Sequence, residues 1–187
     1  MQKVFPENLN YLQRYRRQIA LKEIGTEGQI KIGESSVLLI GAGGLGSPVA
    51  LYLSAAGIGT IGIADYDKVE ISNLQRQIIH YSNDILKRKV ISAKEKINVL
   101  NPEVKVKTYN CKIDDSNIRE IIDEYDFIVC ATDNMKSKYL INDFCVKNHK
   151  AFSFGGVSDF SGQTFTFLPG HACLSCIFGD ITNIENY

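Results

Sequence analysis

Arg76, Lys89, Asp133 and the amide-bearing run Asn73-Leu74-Gln75-Arg76-Gln77 are the side chains of this sequence best suited to work on a phosphate chain. In a phosphoryl or nucleotidyl transfer, negative charge spreads over phosphate oxygens, and fixed cations together with Mg2+ stabilise it. Arg76 and Lys89 supply the cations. Asp133 supplies a carboxylate, and Mg2+ takes only one or two of these besides phosphate oxygens. Asn73 and the glutamines add amides. Taken singly, each cation reads as a solvated surface charge; their weight comes from arriving together. A nicotinamide-dependent oxidoreductase is the weak alternative. It wants an apolar slot and a proton relay, usually in a second domain, whereas this chain shows no second domain and only three histidines, His80, His149 and His171.

A phosphate chain needs a cradle, and the loop Gly41-Ala42-Gly43-Gly44-Leu45-Gly46 offers one. Gly41, Gly43, Gly44 and Gly46 permit a tight turn and close backbone approach, and the helix expected after them adds partial positive charge. The loop follows the apolar run Ser36-Val37-Leu38-Leu39-Ile40. A second apolar run, Ile61-Gly62-Ile63-Ala64, ends at Asp65, whose carboxylate can accept hydrogen bonds from ribose hydroxyls. Strand, glycine loop, helix, strand and terminal carboxylate make a mononucleotide-binding half. The glycine pattern alone is weak; in this setting a nucleotide site is favoured over a merely tight turn.

A second chemistry belongs to Cys173-Leu174-Ser175-Cys176, two thiols at zinc-ligand spacing. Structural zinc is nearly always four-coordinate, and Cys111, Cys130 and Cys145 form no second pair. If zinc is the reading, Cys173 and Cys176 supply only half of the site. A redox pair is less favoured, because the motif follows the Pro169-Gly170 turn and not a strand. His171 is a candidate third ligand or, more simply, a solvated loop histidine. Cys130 and Cys145 lie in apolar runs and read as core.

The elements that must position these groups follow from pattern. Leu9, Leu12, Ile19 and Leu21 among arginines predict an amphipathic helix over 9–21, ended by Gly25, and a short helix over 26–32 is stopped by Gly33. Strands are expected at 36–40, 60–64, 104–108, 127–131, 151–154 and 163–168. Helices are expected at 48–56, 87–100, around 118–122 and at 136–148. Residues 66–86 are polar and irregular. This alternation predicts an α/β fold, a doubly wound, Rossmann-like and mostly parallel sheet with helices on both faces, and an antiparallel edge strand near the C-terminus. Ligands of such sheets bind at the carboxyl ends of the strands. Asp65 and Asp133 both stand at such ends.

Length and composition suit one domain over 1–187, with N-terminal helices at 9–32 and a partial zinc-binding segment at 171–187. Lys+Arg and Asp+Glu balance at 21 each, so net charge gives no support for nucleic-acid or anionic-membrane binding. No apolar stretch is long enough to span a bilayer. Residues 1–7 lack the apolar core of a signal peptide, and five cysteines, an odd number, argue against a disulfide framework. A cytoplasmic location is expected.

Arg14-Tyr15-Arg16-Arg17-Gln18-Ile19, the loop Gly41–Gly46, Asp65-Tyr66-Asp67, Ser72-Asn73-Leu74-Gln75-Arg76-Gln77, Lys89, Ala131-Thr132-Asp133-Asn134 and Cys173-Leu174-Ser175-Cys176 occur in one order over nearly the whole chain. In this the chain resembles the ThiF/MoeB/HesA family of E1-like enzymes, which activate ubiquitin-like sulfur carrier proteins. The resemblance implies binding of ATP with Mg2+ and adenylation of the C-terminal glycine of a small carrier with a Gly-Gly tail, in thiamine or molybdopterin synthesis. It implies that Asp65 binds the ribose, with Asp67 beside it among the nucleotide-binding residues, that Asn73, Arg76 and Lys89 hold the phosphates, and that Asp133 holds Mg2+. It also implies a homodimer in which Arg17 reaches the neighbouring subunit's site. In that family the second Cys-x-x-Cys lies farther along than residue 187, so the chain is expected to be a fragment. A truncated module that binds nucleotide and carrier without turnover is the other expectation.

Overall fold

The computed structural model describes residues 9–179. The expectation for residues 1–7 and the last part of the 171–187 segment lie outside the described residues. In chain order the elements are α1 (Leu9–Ile19), α2 (Gly25–Glu34), β1 (Ser36–Ile40), α3 (Gly46–Ala56), β2 (Thr60–Ala64), α4 (Lys89–Leu100), β3 (Lys105–Tyr109), α5 (Ile118–Ile122), β4 (Phe127–Cys130), α6 (Met135–Lys147), β5 (Ala151–Ser158), β6 (Ser161–Phe167) and α7 (Leu174–Phe178). Between β2 and α4 the chain makes two short 3-10 turns, Ile71–Asn73 and Ser82–Asp84.

The strands form one sheet in the order β3-β2-β1-β4-β5-β6. β1 through β5 run parallel, and β6 is antiparallel to β5. The expected α/β class and its antiparallel edge strand are therefore observed. The order reverses between β1 and β4, so the carboxyl ends of these two strands form the switch point where doubly wound sheets bind ligands.

β1 is apolar at every position after Ser36 because both of its faces are covered. Alternate side chains point to opposite faces. Leu38 and Ile40 join Ile128, Cys130, Phe152 and Phe154 in one core, closed by α5 and α6. Val37 and Leu39 join Ile61 and Ile63 in the other, closed by α3 and α4. The two cores clamp the sheet and fix the level at which its strands end. Among the described residues no helix is long and apolar enough to cross a membrane.

Several boundaries differ from the pattern reading. Gly25 opens α2 instead of ending α1, and α2 runs through Gly33 to Glu34. Gly33 is kept for space: a β-carbon there would lie 3.1 Å from the Tyr11 hydroxyl. α3 begins at Gly46, with Gly57 at φ +84° closing it in the left-handed conformation that glycine adopts freely. α4 begins at Lys89, two residues later than the expected start at 87. β5 extends to Ser158 because β6 pairs with it from Phe152↔Phe167 to Ser158↔Ser161. That pairing is nonlocal support that no window around residue 154 contains. α7 has no periodic signal and is held from outside. Asn142 on α6 accepts a hydrogen bond from the Leu174 N–H at 2.9 Å and donates to Ser175 Oγ at 3.3 Å. The Tyr139 hydroxyl donates to the Gly179 carbonyl at 2.7 Å.

Candidate functional site

The carboxyl ends of β1, β2, β4 and β5 surround a cavity of about 790 Å3. Gly41, Gly43, Gly44, Asp65, Asp67, Arg76, Gln77, Lys89 and Asp133 all stand on its wall. Residues distant in sequence thus converge as the sheet topology requires.

The glycine loop forms the wall between β1 and α3. Gly41 has φ +99°, and a β-carbon there would come within 2.8 Å of the Ala131 carbonyl at the end of β4. Glycine supplies both the conformation and the clearance. Gly46, itself off the wall, opens α3, whose dipole favours an anion at the loop; the Ser47 N–H is spent on the Gly43 carbonyl at 2.9 Å, and Pro48 has none. Asp65, half-buried after β2, locks the loop in place. Its Oδ2 accepts from the Ala42 N–H at 2.8 Å, and its Oδ1 accepts from the Asp67 N–H at 2.8 Å.

His80 supports the same loop from behind. It is buried, with Nε2 3.0 Å from the Ala42 carbonyl and Nδ1 2.8 Å from Ser92 Oγ on α4. Burial pushes its pKa below the ordinary 6.5; the bond to Ala42 opposes this, and nearby Lys89 adds to it. A neutral ring donates from Nε2 to the carbonyl and accepts from Ser92 at Nδ1. Because the folded imidazole resists protonation, its contribution to stability is complete above pH 6.5 and declines as pH falls below that value. Asp84, whose carboxyl Lys96 holds well below its usual range despite burial, adds acid sensitivity only below its ordinary 3.8. The urea midpoint is therefore expected to drop between pH 7 and pH 5 in the native chain. The drop should shrink in His80→Gln; an equal slope in both proteins would remove His80 as its source.

Lys89 is buried, and its Nζ lies 2.9 Å from Asp67 Oδ2 at the cavity rim. Arg76 is exposed. Its Nη1 donates to the Ser72 carbonyl at 3.0 Å, and its stem covers Gly44, where a β-carbon would meet Arg76 Cγ at 3.5 Å. Asp133 follows β4 directly and is exposed on the wall, with its carboxylate open to a cation. One carboxylate beside phosphate oxygens fits the needs of Mg2+. Asn134 then caps α6 by accepting from the Ser137 N–H at 2.9 Å.

Asn73 and Arg17 are not on this wall. Asn73 is buried and holds its own turn: Oδ1 accepts from the Glu70 N–H at 3.1 Å, and its carbonyl accepts from Gln77 and Arg76. Arg17 is exposed on α1. Cys173 and Cys176 also lie away from the cavity, with their sulfurs 3.5 Å apart. Burial raises the Cys173 thiol, but hydrogen bonds from Cys176 outweigh it and leave the pKa below its ordinary value. His171 is exposed, and no group of three His, Cys, Asp or Glu side chains suited to a metal occurs among the described residues. Two ligands of four do not make a zinc site, so the described residues do not fit zinc.

Two wall residues carry signals that the motif reading passes over. Gln77 is buried with its Nε2 toward Gly43, and its Oε1 has no hydrogen-bond partner among the described residues. Lys138 is 4% exposed on α6. Its spacing to Ile141, Asn142 and Cys145 puts it on the buried face of that helix, which the helical period does reveal.

The chain is similar to known proteins in sequence and in fold. "Adenylyltransferase and sulfurtransferase MOCS3" of Dictyostelium discoideum is 46% identical over 170 residues, which are 90% of this chain and 40% of that protein. "Sulfur carrier protein adenylyltransferase" of Thermus thermophilus is 40% identical over 173 residues, 89% of this chain and 64% of that protein. The crystal structure of E. coli MccB with ATP superposes with a TM-score of 0.80 at 26% identity, over 92% of this chain and 52% of that one. The chain thus spans about two fifths of the MOCS3 relative and just under two thirds of the Thermus protein. Since the ThiF family model matches residues 15–186, nearly the whole sequence and every element of the cavity wall, the chain belongs to the ThiF family.

Proposed function

We propose that this chain is the nucleotide-binding part of an ATP-dependent adenylyltransferase acting on a small ubiquitin-like sulfur carrier protein with a Gly-Gly C-terminus. The observation that carries the reading is the convergence of the glycine loop, Asp65, Arg76, Lys89 and Asp133 on one cavity. The names of the relatives support the same class of reaction. A carrier carboxylate oxygen attacks the α-phosphate of MgATP, the bond to the β-phosphate oxygen breaks, and pyrophosphate leaves with an acyl-adenylate remaining. No proton needs to move. Catalysis of such a step consists of positioning and charge stabilisation, which is what two cations around a fixed loop provide.

In this reading Asp65 orients the ribose from its locked position. Lys89 and Arg76 neutralise the phosphates, Lys89 exchanging Asp67 for the incoming charge. Asp133 takes the Mg2+ that arrives with ATP. The enzyme works as a homodimer in the cytoplasm, with Arg17 serving the neighbouring protomer's cavity, as the family resemblance implies. A relative from Porphyra purpurea, 46% identical over 154 residues and named "Probable molybdopterin-synthase adenylyltransferase", supports molybdopterin synthesis over thiamine synthesis as the pathway.

Exchange of labelled pyrophosphate into ATP, dependent on a Gly-Gly-tailed carrier, tests the reaction. Exchange is the expected result. Nucleotide binding without exchange would make the chain a docking module, and reduction of added NAD would overturn the reading. Asp133→Asn should raise the Mg2+ concentration for half-maximal exchange by about tenfold, equivalent to roughly 1.4 kcal/mol. An unchanged Mg2+ response would remove Asp133 as the metal-facing group.

A further inference from the structure

Lys138 stands on the cavity wall, and no step above uses it. It is as buried as Lys89. Lys89 has the carboxylate of Asp67 at 2.9 Å. The Lys138 ammonium has neither an ion pair nor a hydrogen bond with any described residue. Its nearest compensation is the ring of Phe154, whose centroid lies 5.3 Å from Nζ. A buried ammonium without a counter-charge is unfavourable unless an anion joins it. The cavity is open to such an anion.

The sheet order indicates which anion. The glycine loop, Asp65 and Lys89 lie toward β1 and β2, on one side of the switch point. Lys138 lies toward β5, on the other, and Asp133 lies between them, just past the end of β4. The wall beside Lys138 is the β5–β6 hairpin, where Gly156 and Gly162 present bare backbone. A β-carbon at Gly156 would stand 3.2 Å from Lys138 Nζ, so glycine keeps the ammonium open at that point. The two glycines leave a gap between the side chains of Val157 and Gln163, which gives room to a thin extended chain and less to a bulky one. In-line attack on the α-phosphate requires the nucleophile to enter opposite the leaving pyrophosphate. The two sides of the cavity are arranged for that.

We propose that Lys138 binds the C-terminal carboxylate of the acyl substrate, whose last small residues lie along Gly156 and Gly162. The proposal rests on the adenylation reading and specifies its second substrate site. The lysine holds one carboxylate oxygen while the other forms the new bond to the α-phosphorus and pyrophosphate departs.

The test uses the full chain, a non-hydrolysable ATP analogue, and a hexapeptide ending in Gly-Gly supplied as the free acid or as the C-terminal amide. The nucleotide-saturated native chain should bind the acid at least tenfold more tightly than the amide. Lys138→Gln should abolish that preference and leave affinity for the ATP analogue within threefold. Lys138→Arg should restore part of the preference. If Lys138→Gln keeps the preference, the proposal is overturned. If it instead loses tenfold in nucleotide affinity, the lysine serves the phosphates and the proposal is likewise overturned. Should Lys138→Gln fail to fold, Gly156→Ala decides, because it narrows the gap and keeps the lysine. Loss of the acid preference with nucleotide affinity retained supports the site, and an unchanged preference removes it. A native chain that binds the nucleotide but does not distinguish acid from amide overturns this inference alone. A native chain that binds no nucleotide overturns the adenylation reading itself.

Discussion

Gly46→Ala should abolish nucleotide binding and destabilise the chain by about 3 kcal/mol, the upper part of the usual range for forced overpacking. The reason is space. A β-carbon at Gly46 would lie 2.0 Å from the Gly41 carbonyl oxygen and 3.0 Å from its carbon. Both are backbone atoms, and Gly41 is itself pinned, since its N–H donates to the Ala64 carbonyl at 2.8 Å. The loop can admit the methyl only by separating Gly41 from α3, which moves the N–H groups that would face a phosphate. Gly44→Ala is the matched control for stability, since the three atoms nearest its β-carbon all belong to the flexible Arg76 stem, the first at 3.5 Å. Urea unfolding should therefore separate the two variants sharply, and titration with a fluorescent ATP analogue reads the loss of binding in Gly46→Ala. Native-like binding by Gly46→Ala would show that the loop does not cradle the nucleotide in its present form.

Arg76→Ala should lower adenylation by about 100-fold to 1000-fold, the usual worth of one donor aimed at developing charge. Its unfolding free energy should stay within about 0.5 kcal/mol of native, as for most exposed positions. The guanidinium holds only the Ser72 carbonyl and the side chain lies in solvent over Gly44, so nothing in the core depends on it. Arg76→Lys should recover only part of the rate, because an ammonium lacks the planar fork that grips two phosphate oxygens at once. Pyrophosphate exchange measured beside thermal melting distinguishes the cases. Retained exchange, or unfolding of the alanine variant, would contradict the assigned role.

The strands and the loop were legible because their signals are local. Val37–Ile40 and Phe127–Cys130 are apolar throughout since each is covered on both faces. Asp65 could be placed at a strand end from alternation and length alone. What could not be read was partnership. That Asp65 spends its oxygens on Ala42 and Asp67, and that Lys89 is neutralised by Asp67, depends on how the 66–88 segment folds back, and that segment has no period. Asn73 was placed with the phosphates through its motif. Its side-chain oxygen is occupied by Glu70, because a 3-10 turn needs an acceptor for that N–H. Lys138 was hidden by its residue type. Lysine ordinarily marks the solvated face of a helix, and only the phase of Ile141 and Cys145 shows that this one points inward.

Asn142 and Tyr139 tie the helix of the thiol pair to α6, and α6 also carries Lys138 at the cavity. The two regions therefore share a single beam. Any partner, metal or oxidation event that shifts Cys173 and Cys176 must either break those tethers or move the turn of α6 in which Lys138 is the neighbour of Tyr139. Chemistry at the sulfurs would then be felt at the Lys138 side of the cavity, although the sulfurs themselves stand off its wall.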